Sequence, residues 1–385
     1  MVARCRWLLI IASTSALVVS LQPLTAAARD REPPGPRPFQ PVLQTSLRGD
    51  LLMAGNVNVV STGRGATSIA DVDDDRSFLC VDRPRGDAAC ADNSSASVID
   101  LPAGARVVHA RLYVETSLPD GAGAMKVRLD VPGRSFAYME LGADTPAVPK
   151  LYEAVGAGRD GSRVRQAVWD AKRAVAAGGA GRYTVADIIS EDAGPSSPQA
   201  AWAIVLAYEL RPTRELTELR PAVRRRFAPR MVSWHDGFVV VSDRSVSIPI
   251  RGLEGVAGQA AFAKSFHLVA QPRRDASDNL LLNGRPLGNN LMPGDRAPPP
   301  GVALGRDQSC NSITDVFNGT SCALGTPAGP RLRARSGIDM DVVRIPDGYL
   351  SAGGDAAVMS LRAAEGVTLA PGMLAMSIDV GNADQ

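Results

Sequence analysis

Apolar and polar positions alternate from Val108 to Glu115: Val108, Ala110, Leu112 and Val114 against His109, Arg111, Tyr113 and Glu115. A period of two marks a strand with one face in a core. The pattern therefore predicts that the first four are buried and that the other four face water. Leu101 to Ala105 ahead of it is a Pro/Gly turn. The same alternation runs from Met125 to Val131, and shorter strands are expected at Phe136–Leu141 and Arg182–Ile188. Trp202 to Tyr208 is apolar on both sides, as a strand covered on both faces would be. One stretch departs from this period. Val164, Val168, Ala171 and Val175 recur at helical spacing, with Ser162 as N-cap and Gly178-Gly179 as the stop, and predict one short helix.

The second half repeats the grammar. Strands are expected at Phe238–Val241, Val246–Ile250, Phe262–Leu268, Val358–Leu361 and Leu374–Val380, with Lys264 interrupting the apolar side of the third. The predicted fold is all-β: two β-sandwich, jelly-roll-like domains over 45–210 and 231–385, with one short helix in the first. Between them, 211–230 is a charged linker with three prolines and an Arg224–Arg226 run. Residues 29–44 are Pro- and Arg-rich and are expected as a flexible or polyproline-like lead-in.

Length and composition suit this architecture. The chain has 385 residues, with 37 Gly and 28 Pro to turn many short strands. A net charge of +2 gives no ground for a nucleic-acid partner. At the N-terminus, Arg4 and Arg6 precede an apolar run from Trp7 to Leu21, and Ala26-Ala27-Ala28 follows. This reads as a secretory signal peptide over 1–28, with no transmembrane segment expected after cleavage. Cleavage would remove one of the five cysteines and leave Cys80, Cys90, Cys310 and Cys322. In an oxidising compartment these read as disulfides. Three connectivities are open, and the short-loop pairing Cys80–Cys90 with Cys310–Cys322 is favoured over the others. Neither pair has zinc-site spacing.

Candidate chemistry is sparse. Asp71, Asp73 and Asp75 share a face if extended, and Ca²⁺ is the cation such carboxylates would take. A solvated acidic turn, or ion pairs with Arg64, Arg76 or Arg83, is the competing reading. The three histidines are His109, His235 and His267. Ser233, His235 and Asp236 are the residue types of a hydrolytic triad, but they stand too close in sequence for one strand to aim all three at one point. Glu115, Glu140, Glu209 and Asp379 are nominees for a glycosidase carboxylate pair, whose separation only the fold can set. Asn93–Ser95 and Asn318–Thr320 match a glycosylation pattern but read better as turns.

Several motifs occur in a fixed order: GDLLMAGNVNVV, DVDDD, NSSASVIDLPAGARVVHARLYVE, GRYTVADI, AAWAIVLAYE, LLLNGRPL, VFNGT and GIDMDVV. This order, over about residues 49–380, resembles a family of secreted and surface-exposed β-rich bacterial proteins common in actinobacteria. The chain departs from that pattern at Leu112-Tyr113-Val114, where the family has a tryptophan. The resemblance implies an extracellular or surface role without catalysis. The expectation is therefore a secreted or cell-surface protein with a structural or ligand-binding, adhesin-like role and a surface protein or glycan as partner. The alternative is a glycan-directed hydrolase on a paired jelly-roll scaffold.

Overall fold

The computed structural model describes residues 36–61, 76–78, 94–118, 126–140, 150–154, 163–186, 188, 200–211, 229–242, 245–253, 263–270, 278–287, 317, 321–322, 338–350 and 354–380. The strands are β1 (Arg37–Leu47), β2 (Gly49–Val57), β3 (Val59–Ser61), β4 (Arg76–Phe78), β5 (Ser94–Ile99), β6 (Ala105–Leu118), β7 (Lys126–Val131), β8 (Arg134–Glu140), β9 (Lys150–Ala154) and β10 (Arg163–Asp170). Helix α1 (Lys172–Gly178) follows. Then come β11 (Gly181–Ala186), β12 (Ala200–Leu210), β13 (Arg230–Phe238), β14 (Val241–Ser242), β15 (Ser245–Arg251), β16 (Ala263–Ala270), β17 (Asn279–Leu282) and β18 (Arg285–Leu287). The last are β19 (Ser321–Cys322), β20 (Ile338–Arg344), β21 (Ala356–Arg362) and β22 (Thr368–Asp379).

Four sheets carry the fold. The first jelly roll pairs β2-β12-β6-β10-β9 with β5-β11-β7-β8; the second pairs β1-β13-β22-β16-β20-β19 with β15-β21-β17-β18. Strip the edge strands β1, β9 and β19, and the two orders correspond strand for strand. β2-β12-β6-β10 matches β13-β22-β16-β20, and β5-β11-β7-β8 matches β15-β21-β17-β18. Each half is thus an eight-stranded jelly roll of two four-stranded sheets, built twice in one chain. Even a turn recurs. Gly133 joins β7 to β8 and Asn283-Gly284 joins β17 to β18, with φ of 72° at Gly133, 51° at Asn283 and 77° at Gly284. Asn-Gly is the pair that tolerates positive φ at both centres of a tight hairpin.

Three apolar cores separate the four sheets. One, with Leu112, Val114, Leu129, Trp169, Val185, Trp202 and Ile204, fills the first jelly roll. One, with Ile248, Val269, Leu280, Phe317, Met359 and Ile378, fills the second. The third lies between the jelly rolls and mixes Leu51, Met53, Tyr113, Val168 and Val205 of the first with Trp234, Phe266, Met340 and Met373 of the second. A sheet normally has one face for a core and one for water. Here both inner sheets are covered on both faces.

That stacking changes several expectations. On β6, Ala110, Leu112 and Val114 are buried inside the first jelly roll as the alternation implies. The face expected to be wet is not: Tyr113 and Glu115 are buried against the second jelly roll, and His109 and Arg111 are partly covered. Val108 also differs. The register slips where β12 passes from Ala207 to Tyr208, opposite His109 and Val107. This bulge sends Val107 inward and leaves Val108 half-buried on the other face. The predicted helix is shorter, because Arg163–Asp170 is strand β10 and only Lys172–Gly178 is helical. Val164 and Val168 suit one strand face as well as a helix stripe, and pairing with β6 and β9 decides between them. Strand β1 begins inside the segment expected as a flexible lead-in and pairs antiparallel with β13. Its register shifts fall around Pro38 and Pro41, as prolines on an edge strand allow. Residues 212–228 of the charged segment lie outside the described residues.

Candidate functional site

Asp50 opens β2 at the boundary between the jelly rolls. Its carboxylate accepts the Leu51 backbone N–H at 2.7 Å, the Ser377 hydroxyl at 2.6 Å and the Lys264 ammonium at 2.8 Å, and it pairs with Arg230. Arg230 in turn donates to Asp379 at 2.8 Å. Lys264, which broke the apolar pattern of β16, is therefore the partner of Asp50. Burial lowers its pKa, and Asp50 works against that shift. Gly49 ahead of Asp50 leaves no room for a side chain, since a Cβ there would stand 1.8 Å from the Tyr208 carbonyl oxygen. The Gly-Asp pair is thus explained by packing and charge at one end of the interface.

Farther along, Arg111 pairs with Asp236, and the Trp234 indole N–H donates to the Tyr113 hydroxyl at 2.9 Å. His109 packs edge-on against Trp234, with centroids 5.1 Å apart. Its pKa is lowered, first by burial and then by Arg111. Glu115 accepts from the Gln166 amide at 2.7 Å, directly under the Cα of Gly372. Burial pushes the Glu115 carboxyl up to about 8, with the Gln166 hydrogen bond acting in the opposite direction.

These placements sort the candidate residues. Asp236 faces the first jelly roll, whereas Ser233 and His235 alternate to the opposite side of β13. No Ser-His-Asp constellation forms there. Glu115 is sealed with Gln166, Glu209 pairs with Arg106 at the surface, and Asp379 is held by Arg230. Each carboxylate has its own partner, and the structure does not bring these three together as a pair. The side chain of Glu140 is outside the description, as are Asp71, Asp73, Asp75, Cys80, Cys90, Cys310 and the Asn318–Thr320 segment. Cys322 lies in β19, and only its backbone is described. Ser94 and Ser95, expected in a turn, lie in strand β5 instead. Ser95 donates to the Asn58 carbonyl oxygen at 2.5 Å and accepts from the Trp202 indole at 2.8 Å, while the Asn58 amide donates to the Val185 carbonyl at 3.1 Å. This neutral network ties the two sheets of the first jelly roll together.

The cluster most suited to chemistry was not nominated as a set. His267 lies on β16, with Asp339 and Asp341 beside it on β20. All three have no exposed surface. The His267 Nε2 stands 2.8 Å from Asp339 Oδ2 and 3.7 Å from Asp341 Oδ2. The three ligand atoms lie within 4.8 Å of one another. They face the interior of the second jelly roll, where Phe317 stands edge-on to the imidazole at 5.1 Å. Burial opposes an imidazolium here, but hydrogen bonds and charge from Asp339 and Asp341 outweigh it and lift His267 to about 9. Burial, followed by the charge of Asp341, holds Asp339 well above the usual carboxylate range. The signal for the set was present in the sequence. Asp339 and Asp341 are two apart, so a strand turns both to one face. What the sequence could not show was that this face meets His267.

No family model matches the chain, and no curated protein matches it. Among solved structures, a β-porphyranase of glycoside hydrolase family 86 from the human gut bacterium Bacteroides plebeius is similar at 10% identity and a TM-score of 0.20. That match covers 74% of this chain and 39% of the porphyranase chain. The major capsid protein P2 of bacteriophage PM2 is similar at 9% identity and a TM-score of 0.18, covering 76% of this chain and 99% of the capsid chain. Both likenesses are too remote to bear on function.

Proposed function

We propose that the chain is a secreted or cell-surface protein with a structural or ligand-binding role, a rigid double jelly roll that presents its loops to a surface protein or glycan. One observation carries the reading: charged pairs tie the two jelly rolls together across their interface. Asp50 binds Arg230, Lys264 and Ser377, and Arg111 binds Asp236, around a shared apolar core. A block so joined positions loops without hinging. The N-terminal sequence pattern, the resemblance to surface-exposed β-rich proteins and the expected disulfides agree with export. The hydrolase alternative needs two carboxylates facing across an open cleft. Among the described residues, Glu115, Asp339 and Asp379 have the raised pKa such a site uses, but Glu115 and Asp339 sit in different buried layers and Asp379 is bound to Arg230.

The test is a glycan and matrix-protein binding array with the purified mature protein, run beside a glycosidase screen. Saturable binding without turnover is expected. Turnover of a polysaccharide, or protein retained in the cytoplasm with Met1 intact, overturns the proposal.

A further inference from the structure

We propose that His267, Asp339 and Asp341 bind a divalent transition cation, Zn²⁺ or Mn²⁺, inside the second jelly roll. The ligand set comes first. One imidazole and two carboxylates are the donors such cations take at about 2.0–2.2 Å. Donors at that distance from one ion stand roughly 3–3.5 Å apart around a tetrahedron or octahedron. Separations of 2.8 and 3.7 Å from Nε2 to the two carboxylate oxygens bracket that spacing.

Charge balance is the second ground. Two carboxylates and a neutral imidazole carry a charge that one divalent cation cancels. Without an ion, the His267–Asp339 contact at 2.8 Å offsets part of that charge, and a cation would take over that role. Lys264 is turned to the opposite face of β16, onto Asp50.

The third ground is the duplication, an internal control that is independent of the trio's own geometry. The buried cross-strand pairs of β6 and β10 that alternate with Tyr113–Val168 are Leu112–Trp169, Val114–Ala167 and Thr116–Arg165. On the same face of β16 and β20 they are Ser265–Val343, His267–Asp341 and Val269–Asp339. In the same order along the strand, apolar Val114–Ala167 in one jelly roll stands where His267–Asp341 stands in the other. None of the six residues on that face of the first jelly roll is a histidine or a carboxylate, and its one charged residue is Arg165. The presence of those groups in the second jelly roll is therefore not a requirement of the fold.

The test uses the untagged mature protein, stripped with chelator, dialysed and loaded separately with Zn²⁺ and with Mn²⁺. With three histidines in the whole chain, background binding is low. Elemental analysis is expected to find one ion per chain for at least one metal, and the loaded protein should melt several degrees above the stripped protein. Asp339→Asn with Asp341→Asn keeps shape and hydrogen-bonding capacity while removing both charges. It should lose the bound ion and the thermal response together. Two results overturn the assignment: wild type that takes up neither metal in stoichiometric amount, or a folded double variant that keeps the ion. If the double variant does not fold, stoichiometry and melting of the wild type still decide.

Discussion

The two jelly rolls share one strand order and differ in what they bury. The first closes around a neutral network, Asn58–Ser95–Trp202, beside an apolar layer. The second closes around His267, Asp339 and Asp341. Strand order and alternation are therefore enough to build either half. The polar content of each interior is a separate choice: hydrogen bonds across the sheets in one, an ionisable cluster in the other. Their shared interface is of a third kind, where charged pairs link the halves around an apolar centre.

The comparison can be broken most directly at Leu112, which is fully buried inside the first jelly roll. Leu112→Asp puts an unpaired charge there and should cost about 4 kcal/mol or more. Urea unfolding checks it, and an unchanged midpoint would mean that β6 turns its other face inward. Next is Asn58→Ala, which removes the partner of Ser95 and the bond to Val185. We expect a loss of about 2–3 kcal/mol. A loss below about 0.5 kcal/mol would show that the neutral network does not hold the sheets.

Glu115 probes the interface. Its folded pKa of about 8 lies above the ordinary glutamate value of 4.5. The folded state therefore holds a proton that the unfolded chain gives up between these values. The resulting stability is complete below about 4.5 and is lost progressively as pH rises toward about 8. Glu115→Gln should flatten this fall and raise stability at pH 8 by roughly 2 kcal/mol, with little change at pH 4. Denaturant melts across that range test it, and parallel curves for the two proteins would refute the assignment. The smallest effect is expected at the exposed Arg106–Glu209 pair. Arg106→Ala should cost less than about 1 kcal/mol and become neutral in high salt. A larger loss would indicate that this edge belongs to the interface network.

Much of the fold was readable along the chain, because strand alternation is local. The inward face of β6 from Ala110 to Val114, that of β7, the double-sided burial of β12 and the recurrence of the same grammar after residue 231 all follow from spacing. Three matters depended on what packs against what. The wet face assigned to Tyr113 and Glu115 is buried because a second jelly roll covers it. Val164 and Val168 join a strand because β6 and β9 offer hydrogen bonds on both sides. Lys264, an apparent flaw in an apolar strand, meets an aspartate 214 positions away. The ionisable cluster divides in the same way. The sequence by itself set Asp339 and Asp341 two positions apart, a spacing that any strand turns to one face, although no strand was expected there. Only the tertiary structure put His267 opposite them, because the pairing of β16 with β20 is a long-range contact that no local pattern encodes.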